Sequence, residues 1–194
     1  MKHFRFDGTR YARALVACLI LMSARATRGS TVEAPTLQQM VERADRIFVG
    51  TVVDVRSYLT APTIHTDVTF RTSEVVKGAG SSLVVLTFLG GTVGEDRLEV
   101  SGVPRFRVGD EQVMFAIDAA QQVSPVVGFW HGRIRVSRDL SGTARVLRND
   151  GTPFERSTAV TQKAPEVSDR IIMPMRLDAF LADVRQLVRE AARR

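Results

Sequence analysis

The side chains that could catalyse a reaction or bind a metal ion are few in this sequence and lie far apart. After His3 the only histidines are His65 and His131, with no H-x-x-x-H spacing. Zinc sites need three or four His, Cys or carboxylate ligands in a fixed geometry, so we predict no metal site and no cofactor. The G-x-S-x-G, S-x-x-K and phosphate-binding glycine patterns are also missing. We predict no catalytic residues, although a Ser, an Asp and a histidine could still meet in space, as in a small hydrolase.

The segment 128–132 has the composition of a binding surface. It contains Trp130, the only tryptophan, next to His131 and between two glycines. Aromatic side chains contribute much of the affinity at protein interfaces, so we predict that Trp130 and His131 bind a partner. The other interpretation, which the pattern alone favours, is a core aromatic residue in a bend that the glycines permit. Further candidates, which precede the first predicted helix and could lie along a partner's cleft, are Val32, Glu33, Ala34 and Pro35.

The first 26 residues are organised like a secretory signal peptide. Basic residues precede an apolar run of about nine residues, which is shorter than the roughly 20 needed to span a membrane. Ala24-Arg25-Ala26 provides a small-x-small site, and we predict cleavage after Ala26. Leu15-Val16-Ala17-Cys18 also resembles a lipobox, but most of the apolar run follows Cys18, which favours an ordinary residue within the signal peptide.

Export changes the interpretation of the charge. The 194 residues carry a net charge of +6, but removing 1–26 takes away five basic residues and one acidic residue, leaving +2. The remaining charges alternate in sign along the chain, whereas a nucleic-acid surface needs clustered basic residues. The predicted mature chain, 27–194, has no cysteine and cannot be a disulfide scaffold. We predict a single domain that is periplasmic or secreted, has no permanent membrane span and binds no nucleic acid.

Short strands and two helices must position the candidate residues. Thr36 has the capping-box spacing of a helix N-terminus, and that helix is predicted to end near Asp45. An apolar stripe predicts a C-terminal helix over 177–188, and 148–173 has no periodicity and is predicted to be an irregular loop. The predicted strands cover 47–55, 64–76, 83–89, 111–117, 126–130, 133–136 and 144–147. A further short strand is predicted at Leu98 and Val100.

The strand patterns favour a mainly β fold. Alternation in 64–76 predicts one buried and one exposed face, whereas the continuous apolar run of 83–89 predicts a strand that is buried on both faces or lies in a barrel wall. Gly50 lies inside the first strand and indicates a bulge or a sharp bend. Short antiparallel strands with such bends favour an OB-like barrel with a short N-terminal helix and a C-terminal helix packed on it.

Three short motifs support a family resemblance. Ala44-Asp45-Arg46-Ile47-Phe48-Val49-Gly50-Thr51-Val52 leads to a strand that ends in Lys77-Gly78, and Phe106-Arg107-Val108-Gly109-Asp110-Glu111 precedes a later strand. This order resembles the netrin-like OB barrel of the tissue inhibitors of metalloproteinases and a group of cysteine-free exported bacterial proteins. The resemblance covers about residues 36–118 and implies a barrel in an exported protein with a protein partner. It does not carry over the inhibitors' zinc chelation, which uses an N-terminal cysteine where this chain has Thr27.

Three functions follow from these patterns. The first is an exported, non-catalytic binding module directed at a protein, of which a secreted protease is one example. The second is a structural protein of the cell envelope, anchored by a lipid if Cys18 is modified. The third is a small hydrolase of unknown substrate that would use His65 or His131. We rank them in that order.

Overall fold

The computed structural model describes residues 34–118, 123–154 and 173–194. The signal peptide with its cleavage site and Cys18 lies outside these ranges, as do Val32, Glu33 and most of the loop predicted over 148–173. No helix in the described ranges is both long and apolar enough to span a membrane. The elements in chain order are α1 (Leu37–Arg43), β1 (Arg46–Thr60), β2 (Thr63–Lys77), β3 (Leu83–Leu89), β4 (Gly91–Val93), β5 (Asp96–Leu98), β6 (Glu111–Ala116), β7 (Arg133–Arg138), β8 (Ala144–Leu147) and α2 (Leu177–Ala191).

Six of the strands form one antiparallel sheet in the order β3-β2-β1-β6-β7-β8, and β4 pairs with β5 in a separate hairpin. The predicted mainly β fold with two helices is thus confirmed, while closure into a barrel stays a prediction. β1 pairs with β2 along nearly its whole length and with β6 through its first six residues. The register between β1 and β2 shifts beside Gly50, where we predicted a bulge. A Cβ on Gly50 would lie 3.2 Å from Phe70 Cβ, which explains the absence of a side chain there.

Alternate side chains of the central strands point into two different apolar clusters. Ile47 and Val49 of β1 lie in a cluster with α1 and α2, whereas Phe48 between them lies in a second cluster with β2 and β3. The period of two residues along a strand produces this division. The helices therefore cover one face of the sheet, and the chain around Val103 and Phe106 packs against the other.

Helix α1 is held at both ends. Thr36 accepts a hydrogen bond from the backbone N–H of Gln39, and the Gln39 side chain accepts one from Thr36 N, which is the predicted capping box. At the other end the Lys77 ammonium donates to the carbonyl oxygens of Val41, at 2.8 Å, and Ala44, at 2.6 Å. A cation satisfies the free carbonyls of a helix C-terminus, so the end of β2 fixes the helix that precedes β1.

Two predicted strands differ from the structure. Of the two alternatives predicted for β3, burial on both faces is wrong, because its residues alternate and Leu83 and Val85 are 51% and 54% exposed. A place in a barrel wall stays a prediction. β3 lies at the edge of the sheet and has only one covered face, so its continuous apolar run is not a sign of burial. The strand predicted over 126–130 is wrong, because only Val126 forms an isolated β-bridge and the following residues form turns.

The hairpin regions also depart from the predictions. The predicted strands 47–55 and 64–76 are longer in the structure. β1 extends to Thr60 and β2 begins at Thr63, so only a tight turn at Ala61 and Pro62 separates them. The short strand predicted at Leu98 and Val100 is β5, which ends at Leu98. Its partner β4 was not predicted, because three residues rich in glycine and threonine carry no periodicity.

Candidate functional site

Ala34, Pro35, Trp130 and His131, four residues predicted to bind a partner, line one small pocket of about 150 Å³. We call it the Trp130 pocket. Two of these residues precede α1 and two belong to the turn after Val126, so distant parts of the sequence meet there. The remaining predicted residues, Val32 and Glu33, lie outside the described ranges. The other lining residues are Met40, Arg148, Asn149 and Asp150.

A compact turn holds the aromatic residues against the start of α1. Phe129 N donates to Val126 O at 3.0 Å, and Gly132 N donates to Val127 O at 2.9 Å. Gly128 has a φ of +62°, and a Cβ there would lie 3.1 Å from Pro35 Cγ. Glycine therefore permits both the left-handed backbone and the close approach to Pro35.

Phe129 is the strained residue of this turn. Its φ of +66° is the one positive value among the non-glycine residues that the structure describes. The side chain is 48% exposed, although an aromatic residue gains most free energy when buried. Ser124 Oγ donates to the Phe129 carbonyl at 2.7 Å and helps to hold this conformation. Such strain at a surface position is typical of functional sites.

The Trp130 ring packs in space against Gly102 and against His131. A Cβ on Gly102 would lie 2.7 Å from Trp130 Cζ3, so the indole packs directly on the Gly102 backbone. On the other side the ring centroids of Trp130 and His131 are 4.9 Å apart, with 37° between the planes. Trp130 is half-buried. It is therefore partly packed, as expected for a core aromatic residue, and partly accessible, as expected for a binding residue.

The surroundings of His131 favour the neutral form of its imidazole. Burial lowers its pKa, the positive charge of Arg148 lowers it further, and Asp150 opposes the effect in part. The His131 Nε2 atom is buried and has no hydrogen-bond partner among the described residues. A neutral imidazole nitrogen can donate or accept one hydrogen bond, so this nitrogen retains an unused hydrogen-bonding capacity in a residue that lines the pocket.

The polar wall of the pocket is the first part of the segment that we predicted to be an irregular loop. Asp150 accepts hydrogen bonds from the Thr152 backbone and hydroxyl, at 2.9 and 2.7 Å, and these bonds lower the pKa of Asp150. The Arg148 guanidinium lies 4.8 Å from the centroid of the buried Phe154 ring. The sequence analysis missed this wall. The Asp-Gly pair at 150–151 was the available signal, since such pairs mark tight turns.

A buried arginine connects this wall to the rest of the sheet. Arg133 is 6% exposed, and its Nε donates to Gln112 Oε1 at 2.6 Å. One terminal nitrogen donates to Asn149 Oδ1 at 3.0 Å, and the guanidinium lies 4.7 Å from the Phe106 ring centroid. Burial lowers the pKa of Arg133 to about 10, while Asp110 acts in the opposite direction. The sequence analysis assigned Arg133 only to a strand, because burial of a charge cannot be inferred from strand periodicity.

The other candidate histidine lies apart from the pocket. His65 is half-buried on β2 and stacks on Tyr58, with 6.0 Å between ring centroids. Its Nδ1 has no hydrogen-bond partner in the described ranges. The same ranges contain no group of three or more His, Cys, Asp or Glu residues that could hold a metal ion.

No protein-family model matches the chain, and no curated protein gives a significant match. The residues that suggested the netrin-like resemblance lie at junctions of the fold. A Cβ on Gly78 would lie 2.7 Å from Asp45 O, and Gly109 N donates to Val52 O at 2.8 Å. Gly78 and Gly109 therefore have structural roles at these contacts.

Proposed function

We propose that this protein is an exported, non-catalytic binding module that recognises a protein partner at the Trp130 pocket. The observation that carries the proposal is the strained and exposed Phe129 beside a pocket with an unpaired His131 nitrogen. A secreted protease is the partner class to test first, in accordance with the netrin-like resemblance.

The pocket has the composition of an interface anchor. Phe129 and Trp130 offer aromatic surface on a turn whose backbone is fixed by hydrogen bonds, so little conformational entropy is lost on binding. Arg148 and Asp150 supply charge at the edge of the pocket. A volume of about 150 Å³ is below the usual 300–1,000 Å³ of small-molecule sites. It suits a single inserted side chain better than a whole ligand.

An OB-like barrel is the architecture that we propose for the module. Besides the bulges in β1, one hydrogen bond supports it: Leu89 N at the end of β3 donates to Val123 O at 3.0 Å. Leu89 belongs to the edge strand, whereas Val123 lies after β6 near the other half of the sheet. A sheet has to curve to bring these two parts into contact, and a barrel requires such curvature.

The chain from Thr27 would serve as bait for proteins in the medium of the cells that produce it. Each captured protein would be purified and titrated into this chain while the emission of Trp130 is recorded. Trp130 is the only tryptophan of this chain. When the partner lacks tryptophan, or when the partner's own emission is subtracted, a change in emission therefore reports on the Trp130 pocket directly. We expect saturable binding and a change in emission, with inhibition if the partner is a protease.

Two variants separate binding at the pocket from binding elsewhere. Phe129→Ala removes the exposed ring and should weaken binding at least about ten-fold, as removal of an aromatic anchor does. Leu140→Ala removes a fully exposed apolar side chain outside the pocket and should leave affinity unchanged. Equal binding by both variants and the parent chain would refute the Trp130 pocket as the recognition site. Capture of nothing above a control with altered surface residues would refute the binding-module proposal.

A further inference from the structure

A second cavity, of about 330 Å³, lies between the sheet and the β4–β5 hairpin. We call it the hairpin groove. β1, β2 and β3 form its floor, and the hairpin with the following residues 99–106 forms its other wall. Its volume reaches the lower end of the range for small-molecule sites. At the roughly 30 Å³ that a water molecule occupies in the liquid, it has room for about ten non-hydrogen atoms.

The interior of the hairpin groove is apolar. Val55, Val68 and Phe88 lie on the floor, and Val103 and Phe106 lie on the opposite wall. A ligand body that fills this space would gain about 25 cal/mol for each Å² of apolar surface removed from water. The interior therefore favours a hydrocarbon or aromatic body over a sugar or a nucleotide.

Two hydroxyl groups of the lining, those of Ser57 and Thr66, already have partners. Thr66 Oγ1 donates to the Gly90 carbonyl at 2.6 Å, so its contact with Ser57 Oγ at 2.9 Å uses the Ser57 hydroxyl proton. Neither hydroxyl retains a free proton to donate. A Cβ on Gly91 would overlap both oxygens, so the hairpin backbone packs directly on them. The wall is preformed, and an apolar ligand leaves no buried donor there without an acceptor.

The mouth of the groove carries an excess of positive charge. Its charged lining residues are Arg97, Arg105 and a single carboxylate, Glu99. Arg97 pairs with one Glu99 oxygen at 3.2 Å, and Arg105 pairs with the other. Each guanidinium has five N–H donors, so most donors remain available. These side chains are 60–72% exposed, so they can rearrange around an arriving group.

We propose that the hairpin groove binds a small amphiphile with one carboxylate and an apolar body of about eight carbon atoms. The apolar body occupies the space above Val68 and Phe88, and the carboxylate pairs with Arg97 and Arg105 at the mouth. Charge-assisted hydrogen bonds to guanidinium favour a carboxylate over an alcohol or an amine of the same length. This small-molecule site is separate from the Trp130 pocket and goes beyond the protein-binding role proposed above.

Calorimetric titration with octanoate, octan-1-ol and octylammonium tests the proposal on the whole chain. The three probes share a chain of eight carbons and differ in the head group. We expect octanoate to bind at least about ten-fold more tightly than octan-1-ol, and octylammonium to bind most weakly. Equal affinities for octanoate and octan-1-ol would overturn the role of the arginines. No octanoate binding up to millimolar concentration would overturn the site.

Substitutions at the mouth give a result that a nonspecific apolar surface would not give. Glu99→Gln removes the carboxylate that competes for both guanidinium groups, so octanoate affinity should rise several-fold. The double variant Arg97→Ala/Arg105→Ala should lower octanoate affinity about ten-fold and leave octan-1-ol unchanged. A fall in octanoate affinity for Glu99→Gln would show that Glu99 organises the arginines rather than competing with the ligand, and would overturn the proposal.

A blocking variant tests the location. Val55→Phe adds a ring inside the groove and should abolish octanoate binding, whereas Val75→Phe makes the same change on β2, where the side chain is 38% exposed and outside the groove. Thermal unfolding of both variants checks that they fold. If Val55→Phe does not fold, Val103→Phe makes the same block from the opposite wall. Undiminished binding by a folded blocking variant would refute this location.

Discussion

Replacing Arg133 by methionine tests whether the buried polar network stabilises the fold. The variant removes the hydrogen bonds to Gln112 and Asn149 and the contact with the Phe106 ring, but keeps most of the side-chain volume. Gln112 is wholly buried, and leaving its Oε1 without a donor costs about 1–3 kcal/mol. Loss of the contact between the guanidinium and the ring adds about 1 kcal/mol. We therefore expect the free energy of unfolding to fall by about 2–4 kcal/mol.

Urea denaturation monitored by circular dichroism and by Trp130 emission measures this change. Thermal unfolding should move down by about 5–15 °C, at roughly 2–4 °C per kcal/mol for a chain of this size. Arg135→Met is the matched control, because Arg135 is exposed on the same strand. Its effect should stay within about 0.5 kcal/mol.

The double variant Arg133→Met/Gln112→Met separates the unpaired oxygen from lost packing. Burial lowers the pKa of Arg133 to about 10, which shows that desolvation of the guanidinium exceeds the attraction of Asp110. Replacing both buried partners by apolar groups should therefore recover at least about 1 kcal/mol relative to Arg133→Met alone. Equal stability of Arg133→Met and Arg135→Met, or no recovery in the double variant, would refute this account of the network.

Three further predictions concern the surroundings of the Trp130 pocket. Gly102→Ala should shift Trp130 emission and destabilise the fold by about 1–3 kcal/mol more than Gly109→Ala. Both glycines have positive φ, but only Gly102 contacts the indole, so equal effects in urea denaturation would contradict this packing. The free energy of unfolding should fall as the pH drops from 6.5 towards the lowered pKa of His131, because the unfolded chain binds more protons there. His131→Gln should flatten this part of the pH profile, and an unchanged slope would count against the lowered pKa. Thr36→Ala should cost about 1 kcal/mol in urea denaturation through loss of the N-cap, and an unaltered midpoint would show that the capping box contributes nothing.

The sequence predicted the elements whose signals are local. The capping box at Thr36 and the alternation of β2 need no knowledge of distant residues, and both are confirmed. The edge position of β3 could not be predicted in this way. Its apolar run has the same composition whether one face or both are covered, and only the sheet order decides between these arrangements.

The candidate site was predicted in part for a similar physical reason. Trp130 and His131 stand out by residue type, and Ala34 and Pro35 by their place before the helix, and the structure brings them together. Asn149 was missed because its role depends on a contact with a residue 16 positions away in the sequence. Charged residues are usually exposed, so an arginine at position 133 is expected on the surface. The hydrogen bond from the buried Arg133 to Asn149 could therefore not be predicted from residue type.

Arg133 also determines how the two proposed sites can be tested separately. Its guanidinium donates to Asn149 on the wall of the Trp130 pocket and packs on Phe106, which lines the hairpin groove. A substitution at Arg133 therefore disturbs both sites and cannot distinguish a failure of one from a failure of the other. Phe129→Ala and Val55→Phe each change one site and leave the Arg133 contacts in place. If Phe129→Ala abolishes partner binding while octanoate affinity stays constant, the two sites act independently in spite of the side chain that joins their walls.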